Sequence, residues 1–251
     1  MDIPVILRTI TSVQHQIVKH LVKLRINRNY RHDHRTVVIE GMTLITELKS
    51  AKRFKLIATV NELLIPLGVE AEETIIVSES VMKKISGVES PEGIVAEIAM
   101  PEADSLLNKR HILALDGVND PGNVGTLLRS ALAFGWDGVF FLEGCCDPFN
   151  DKALRSARGA TFQLPLAFGR WDQLKTLTEK NGLVPIVADV SGEDFLEHPA
   201  PEKILLVVGN ESTGPSATTR QVCRPLTIRM NKEVESLNVG VAGSMMMYWL
   251  G

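Results

Sequence analysis

Apolar positions along the chain fall into two patterns, one before about residue 100 and one after about 110. In SVQHQIVKHLVKLR, Val13, Ile17, Val18, Leu21 and Leu24 recur at helical spacing behind Ser12, a capping residue. TVVIEG then reads as a strand and MTLITELKS as a helix. Residues 56–60, 74–78 and 94–99 are further short apolar strands with helical pieces between them, which predicts a small α/β domain over 8–100. AMPEADSLLNKR interrupts the pattern with Pro101 and acidic residues, so 101–110 is expected to be a linker.

The second pattern fills 111–251. HILALDGV, GVFFLEG, LVPIVADV, KILLVVGN and PLTIRM are apolar runs of the kind that form parallel strands covered on both faces. Helix-compatible segments lie at 122–135, 150–158, 171–181 and 215–223. Alternating strands and helices predict a doubly wound parallel α/β sheet, with chemistry expected in the loops at the C-terminal ends of its strands. The last segment, VESLNVGVAGSMMMYWLG, has no polar face after Ser244. It is expected to be a helix buried inside the subunit or between subunits, and its methionines read as core.

Composition narrows the class. The 251 residues are 45% hydrophobic and 23% charged, as in globular proteins. No apolar run reaches the ~18 residues of a spanning helix, so no membrane association is expected. The opening MDIPVILRTITSVQ has neither a signal-peptide nor a transit-peptide pattern. Three cysteines, Cys145, Cys146 and Cys223, with no C-x-x-C spacing, argue against a disulfide framework or a zinc site. An intracellular protein is expected, of the cytoplasm or of an organelle matrix if a presequence has been removed. His32 and His34, in HDH, suit a solvated basic loop better than a metal site, and no metal is expected. The net charge of −3 hides an asymmetry: residues 1–50 carry 8 Lys and Arg against 4 Asp and Glu, whereas 51–108 carry 5 against 10. The basic run VKHLVKLRINRNYRHDHR is either a solvated helix face or a nucleic-acid surface, where basic groups bind phosphate and Tyr30 stacks on a base.

Three loops carry the candidate chemistry. In LDGVNDPGNVGTLLRSALAFG, a strand ends at Asp116 and a Pro-Gly turn opens a helix. There Asn123 lies near the helix start and Arg129 is expected in the second turn, with a cap and a surface arginine as the plain structural readings. LLVVGNESTGPS approaches a P-loop, but Pro215 stands where the phosphate-binding lysine belongs, and Glu211 would repel phosphate. Pro215 is expected to open the next helix. Such a loop suits a neutral or cationic ligand, and the absence of G-x-G-x-x-G counts against NAD or FAD. In the third loop, NKEVESLNV, Ser236 and Asn238 fall at the start of the last helix, where backbone N–H groups are free to donate.

Taken together, NDPGNVGTLLRSALAFG, VVGNESTGPS and IRMNKEVESLNVGVA resemble, in order, the three signature motifs of the SpoU-type RNA ribose 2′-O-methyltransferases of the SPOUT superfamily. ITSVQHQIVKHLVKLR, VVIEG and SPEGIVAEI resemble that family's substrate-binding domain, so the likeness spans nearly the whole chain. It implies a trefoil-knotted parallel-sheet catalytic domain after a small α/β RNA-binding domain. It also implies a homodimer formed through the C-terminal helix, with S-adenosyl-L-methionine as cofactor and rRNA, or else tRNA, as partner. Backbone contacts to the cofactor would fall on Gly209, Ile228 and Leu237. The polar active-site positions would fall on Asn123, Arg129, Glu211, Ser236 and Asn238.

The motifs depart from the family pattern at a few positions. Arg229 and Lys232 replace a proline and a glycine of the third motif, and Gly240 replaces its second serine. RSARGA carries Ala157 at a serine position and an added Arg158. The competing reading is a catalytically weak or inactive RNA-binding or ribosome-assembly protein of the same fold. A nucleotide hydrolase fails on Pro215.

Overall fold

The computed structural model describes residues 6–49, 53–231 and 233–251. The chain divides into two compact units: residues up to Pro101 with Phe149–Arg155, and Glu102–Pro148 with Ser156–Gly251. Among the described residues no helix is long and apolar enough to cross a membrane.

The first unit contains β1 (Ile6–Ile10), α1 (Gln16–Ile26), α2 (Arg28–His34), β2 (Thr36–Glu40) and α3 (Met42–Leu48), then β3 (Phe54–Thr59), β4 (Ala71–Val77), α4 (Glu79–Ser86) and β5 (Ile94–Ala99). Its five-stranded sheet has the order β1-β4-β3-β5-β2. The pairs of β4 are parallel and those of β2 with β5 and β3 with β5 antiparallel. Val18, Leu21 and Leu24 of α1 are fully buried and share one core with Val81, Met82 and Ile85 of α4. Two elements differ from the expectation. The HDH stretch is not a loop but the end of α2, which Asn27 caps by accepting from the Tyr30 amide. A first strand, β1, pairs with β4 ahead of the expected helix.

In the second unit the elements are β6 (His111–Asp116), α5 (Pro121–Ala133), β7 (Gly138–Leu142), α6 (Asp151–Ala157), α7 (Ala160–Gln163) and β8 (Leu166–Gly169). They continue with α8 (Trp171–Asn181), β9 (Val184–Asp194), β10 (Ile204–Gly209), α9 (Ala217–Val222), β11 (Arg224–Thr227) and α10 (Val239–Leu250). Of α6, residues 151–155 belong to the first unit. The sheet is six-stranded and parallel throughout, in the order β11-β9-β10-β6-β7-β8. All six residues of β10 are buried, as a central parallel strand with no alternation requires. β8 had no strand signal of its own, being a four-residue edge strand. Part of the expected linker packs with this unit: Leu106 is buried in its core, and the Asn181 side chain donates to the Leu106 and Lys109 carbonyls.

Helix α10 packs on α5, β10 and β9. Gly240, Gly243, Met246, Met247 and Leu250 face inward, and a Cβ at Gly243 would stand 2.5 Å from Leu127 Cδ2. Ser130 and Ser244 share a hydrogen bond of 2.7 Å, and Trp136 Nε1 donates to the Met247 carbonyl at 3.1 Å. The opposite stripe, Val241, Met245, Tyr248 and Trp249, is exposed.

Candidate active site

The C-terminal end of β10 leads into the first wall of the site. Asn210 and Gly214 exchange backbone hydrogen bonds of 3.1 and 2.9 Å, which closes residues 210–214 into a tight hairpin. The Asn210 carboxamide oxygen accepts from the Ser212 and Thr213 amides, and its nitrogen donates to the Gly117 carbonyl. Amides that a phosphate would need are thus already engaged by Asn210, an Asx-type turn. Gly209 is required by crowding: a Cβ there would lie 2.6 Å from the Gly214 carbonyl carbon and from Pro215 Cα. Pro215 does not open α9 as expected. Ser216 caps that helix by accepting from the Thr219 amide, and the first helical residue is Ala217. Asp116, at the end of the neighbouring β6, accepts from the Ser216 amide at 2.8 Å and from the Thr219 hydroxyl.

The second wall comes from β11 and the segment after it. The strand expected over 225–230 ends at Thr227, and Ile228 and Met230 leave the sheet to line a cavity. That cavity, of about 290 Å³, is also lined by Gly209, Glu211, Ser236 and Leu237. Ala188, Leu226 and Met246 give it an apolar floor. Gly209, Ile228 and Leu237, the three positions expected to offer backbone groups, therefore border one space although they come from different segments.

Beside the cavity runs a hydrogen-bond relay that ties the three motifs together. Asn238 Nδ2 donates to Asn123 Oδ1 at 2.9 Å, and Asn123 Nδ2 donates to Glu211 Oε1 at 3.0 Å. The Glu211 carboxylate also accepts from the Asn119 and Asp120 amides at 3.1 and 3.0 Å. Partial burial pushes the Glu211 pKa up, but the bonds from Asn123 and these amides outweigh it and hold the carboxyl below the usual glutamate range. Asn123 is not the cap of α5. Asp120 is, accepting from the Asn123 amide, so the Asn123 side chain is free for the relay. Asn238 does cap α10, its Oδ1 accepting from the Val241 amide at 3.2 Å.

Arg129 lies in the third turn of α5, one turn further from the loop than expected. It is exposed and has no hydrogen-bond or ion-pair partner among the described residues. Ser236 is exposed at the cavity rim. Gly240 sits under the relay: a Cβ there would meet Asn238 Oδ1 at 3.1 Å and Asn123 Oδ1 at 3.4 Å. Lys232 lies outside the described residues. Sequence reasoning missed Asn210, which follows a strand directly and so carried a turn signal. It also missed Asp189 and Arg220, which line the cavity from β9 and α9 with no motif to announce them. Neither Cys223 nor Cys145 is an activated nucleophile here: burial pushes the Cys223 thiol up to about 12 and raises that of Cys145. Among the described residues no group of three His, Cys, Asp or Glu side chains could hold a metal ion.

An all-parallel sheet with a cavity at the C-terminal ends of its strands, bounded by loops from three segments, defines a cofactor-binding α/β domain. Residues 110–248 match the SpoU rRNA Methylase family, and residues 15–96 match the MRM3-like substrate binding domain. The chain is 35% identical to the Bacillus subtilis (strain 168) 23S rRNA (guanosine(2553)-2′-O)-methyltransferase RlmP, covering 97% of this chain and 99% of that one. It therefore belongs to the SpoU rRNA methylase family. Two solved structures share the fold. One is an AdoMet-bound rRNA methyltransferase from Sinorhizobium meliloti, with a TM-score of 0.85 at 23% identity over 96% of each chain. The other is the SpoU methyltransferase AviRb from Streptomyces viridochromogenes in complex with AdoMet, with a TM-score of 0.85 at 22% identity over 94% of this chain and 97% of that one.

Proposed function

We propose that this protein methylates a ribose 2′-hydroxyl of ribosomal RNA, with S-adenosylmethionine as the methyl donor. The observation that carries the reading is the relay from Asn238 through Asn123 to Glu211, which joins the three family motifs beside one cavity. Full-length likeness to a 23S rRNA 2′-O-methyltransferase supports rRNA over tRNA as the substrate.

The cavity's chemistry suits this cofactor. Its floor is apolar, as an adenine ring requires, and its polar rim holds Asp189, Glu211 and Glu235 against a single cation, Arg220, among the described residues. That excess of acid complements a positively charged ligand and opposes a phosphate. Gly209, Ile228 and Leu237 would hold the cofactor through their backbone groups. Bound there, the cofactor supplies a methyl group already activated by a positive sulfur.

The protein's own residues prepare the acceptor. A guanidinium keeps its proton in proteins, which makes it a poor general base. Arg129 instead holds the target phosphate and hydroxyl in line for transfer, a role its exposed position on α5 supports. Asn123, Ser236 and Asn238 complete the acceptor geometry, and Glu211 fixes the Asn123 amide while complementing positive charge. Such positioning supplies several kcal/mol of the barrier reduction, about 7–11 kcal/mol at its limit.

Two further features belong to this reading. The exposed stripe Val241, Met245, Tyr248 and Trp249, with the Phe134 ring 5.5 Å from that of Tyr248, supports a homodimer whose second copy covers it. The return of the chain from β11, at the edge of the sheet, to α10 packed against β10 and α5 supports the trefoil threading. In the first unit, exposed Lys23, whose Nζ lies 5.4 Å from the Tyr30 ring centre, together with exposed Arg28 and Arg35, supports an RNA-binding face. Mapping ribose methylation across cellular RNA with and without the protein tests the proposal. Loss of a specific 2′-O-methyl mark in rRNA supports it, and an unchanged pattern supports the inactive RNA-binding alternative.

A further inference from the structure

We propose that Arg220 anchors the carboxylate of the cofactor's amino-acid tail, with Asp189 as the residue that orients it. This rests on the S-adenosylmethionine reading of the cavity and extends it to a residue outside the three family motifs.

S-adenosylmethionine carries a sulfonium, an ammonium and one carboxylate. Of the acids in the lining, Asp189 is already paired with Arg220, and Glu211 and Glu235 are left to answer the two cations. A carboxylate placed among three acids needs a cation of its own, and Arg220 is the sole cationic side chain lining the cavity among the described residues.

Geometry then shows that this arginine is held ready. Its Nε donates to Asp189 Oδ2 at 2.9 Å. The Asp189 side chain is 5% exposed, and its other oxygen accepts from the Ser191 amide and hydroxyl at 2.9 and 2.8 Å. The carboxylate is therefore fixed on three sides and fixes the guanidinium in turn. Only Nε is used in that contact, so the Nη groups remain to form a paired fork with a second carboxylate. One of them already reaches the loop: Nη2 lies 2.9 Å from the place a Gly214 Cβ would occupy, on the cavity lining. A side chain at Gly214, which also adopts a positive φ of 69°, would displace it.

The expected pattern separates the tail from the nucleoside. By titration calorimetry on the full chain, Arg220→Gln weakens S-adenosylmethionine binding about tenfold or more, the effect of about 1.4 kcal/mol. It leaves 5′-methylthioadenosine, which lacks the amino-acid tail, within about twofold by the same conversion. Because Arg220→Gln leaves Asp189 buried without its partner, the double variant Asp189→Asn/Arg220→Gln is measured alongside and shows the same selectivity. Equal weakening of both ligands, or of neither, overturns the assignment. So does a loss of RNA affinity in Arg220→Gln with cofactor binding intact, which would make this arginine a phosphate contact. Failure of the unaltered protein to bind either ligand refutes the cofactor reading itself.

Discussion

Asn238 donates to Asn123 across 115 positions of sequence, at 2.9 Å, and Asn123 passes the contact to Glu211. Neither asparagine amide is held by its own loop alone: Asp120 caps the helix that carries Asn123, and Asn238 spends only its oxygen on capping α10. The relay therefore registers α5, the β10 loop and the start of α10 against one another.

The pair should behave as a coupled unit. In a double-mutant cycle, Asn123→Ala and Asn238→Ala are expected to be non-additive in stability by about 0.5–1.5 kcal/mol, the range for residues sharing a hydrogen bond. Urea denaturation of the four proteins measures it. Additive losses would mean the contact contributes nothing in solution. Asn123→Ala is also expected to reduce methyl transfer more strongly than cofactor affinity, since the Asn123 side chain meets the relay and not the cavity floor.

Arg129→Ala separates chemistry from cofactor binding. It should abolish methyl transfer while S-adenosylmethionine affinity stays within a few-fold, because Arg129 is exposed on α5 and is not part of the cavity lining. Parallel transfer assays and calorimetry decide the matter, and equal loss of both would assign the arginine to the cofactor pocket.

Glu211 predicts an acid limb. Its folded pKa lies below the ordinary value of 4.5, so the stability it contributes is fully present above that pH and is lost as pH falls through the folded value. Glu211→Gln should therefore melt earlier near neutral pH, with a gap to the unaltered protein that narrows on acidification below 4.5. Thermal melts across that range test the sign, and a gap that widens in acid would contradict it.

The outward stripe of α10 predicts association. Tyr248, which is 73% exposed, can take a charge without touching the inner face that packs on α5. Tyr248→Glu is expected to convert a dimer into a folded monomer by sedimentation. A protein that is already monomeric would end the dimer proposal.

Much of this architecture was readable from apolar runs alone. The strand at His111–Asp116, buried over its four central residues, and that at Ile204–Gly209, buried throughout, are continuous apolar runs, and the loops that follow them carry the polar motif residues. What hid was short, charged or dependent on distant partners. β8 is four residues at a sheet edge, with half its length exposed or half-buried. α2 is so polar that its HDH end looked like loop, yet its fold depends on the Asn27 cap and on Tyr30, whose hydroxyl pairs with His20 Nδ1 at 2.9 Å. The last helix could be read as buried but not on which sides. Only packing shows that Gly240 and Gly243 face inward while Tyr248 and Trp249 face out. Arg220 carried no signal because its meaning comes from Asp189, 31 positions earlier.

The most direct test of the whole account is transfer in a purified system. The protein, ribosomal RNA lacking modification and S-adenosylmethionine labelled in its methyl group are incubated together, and the RNA is then hydrolysed in alkali. A 2′-O-methyl group removes the internal nucleophile of alkaline cleavage, so the account predicts label in alkali-resistant dinucleotides from one position. Label recovered only in mononucleotides, on a base, would contradict it, as would no transfer from a protein that binds the cofactor.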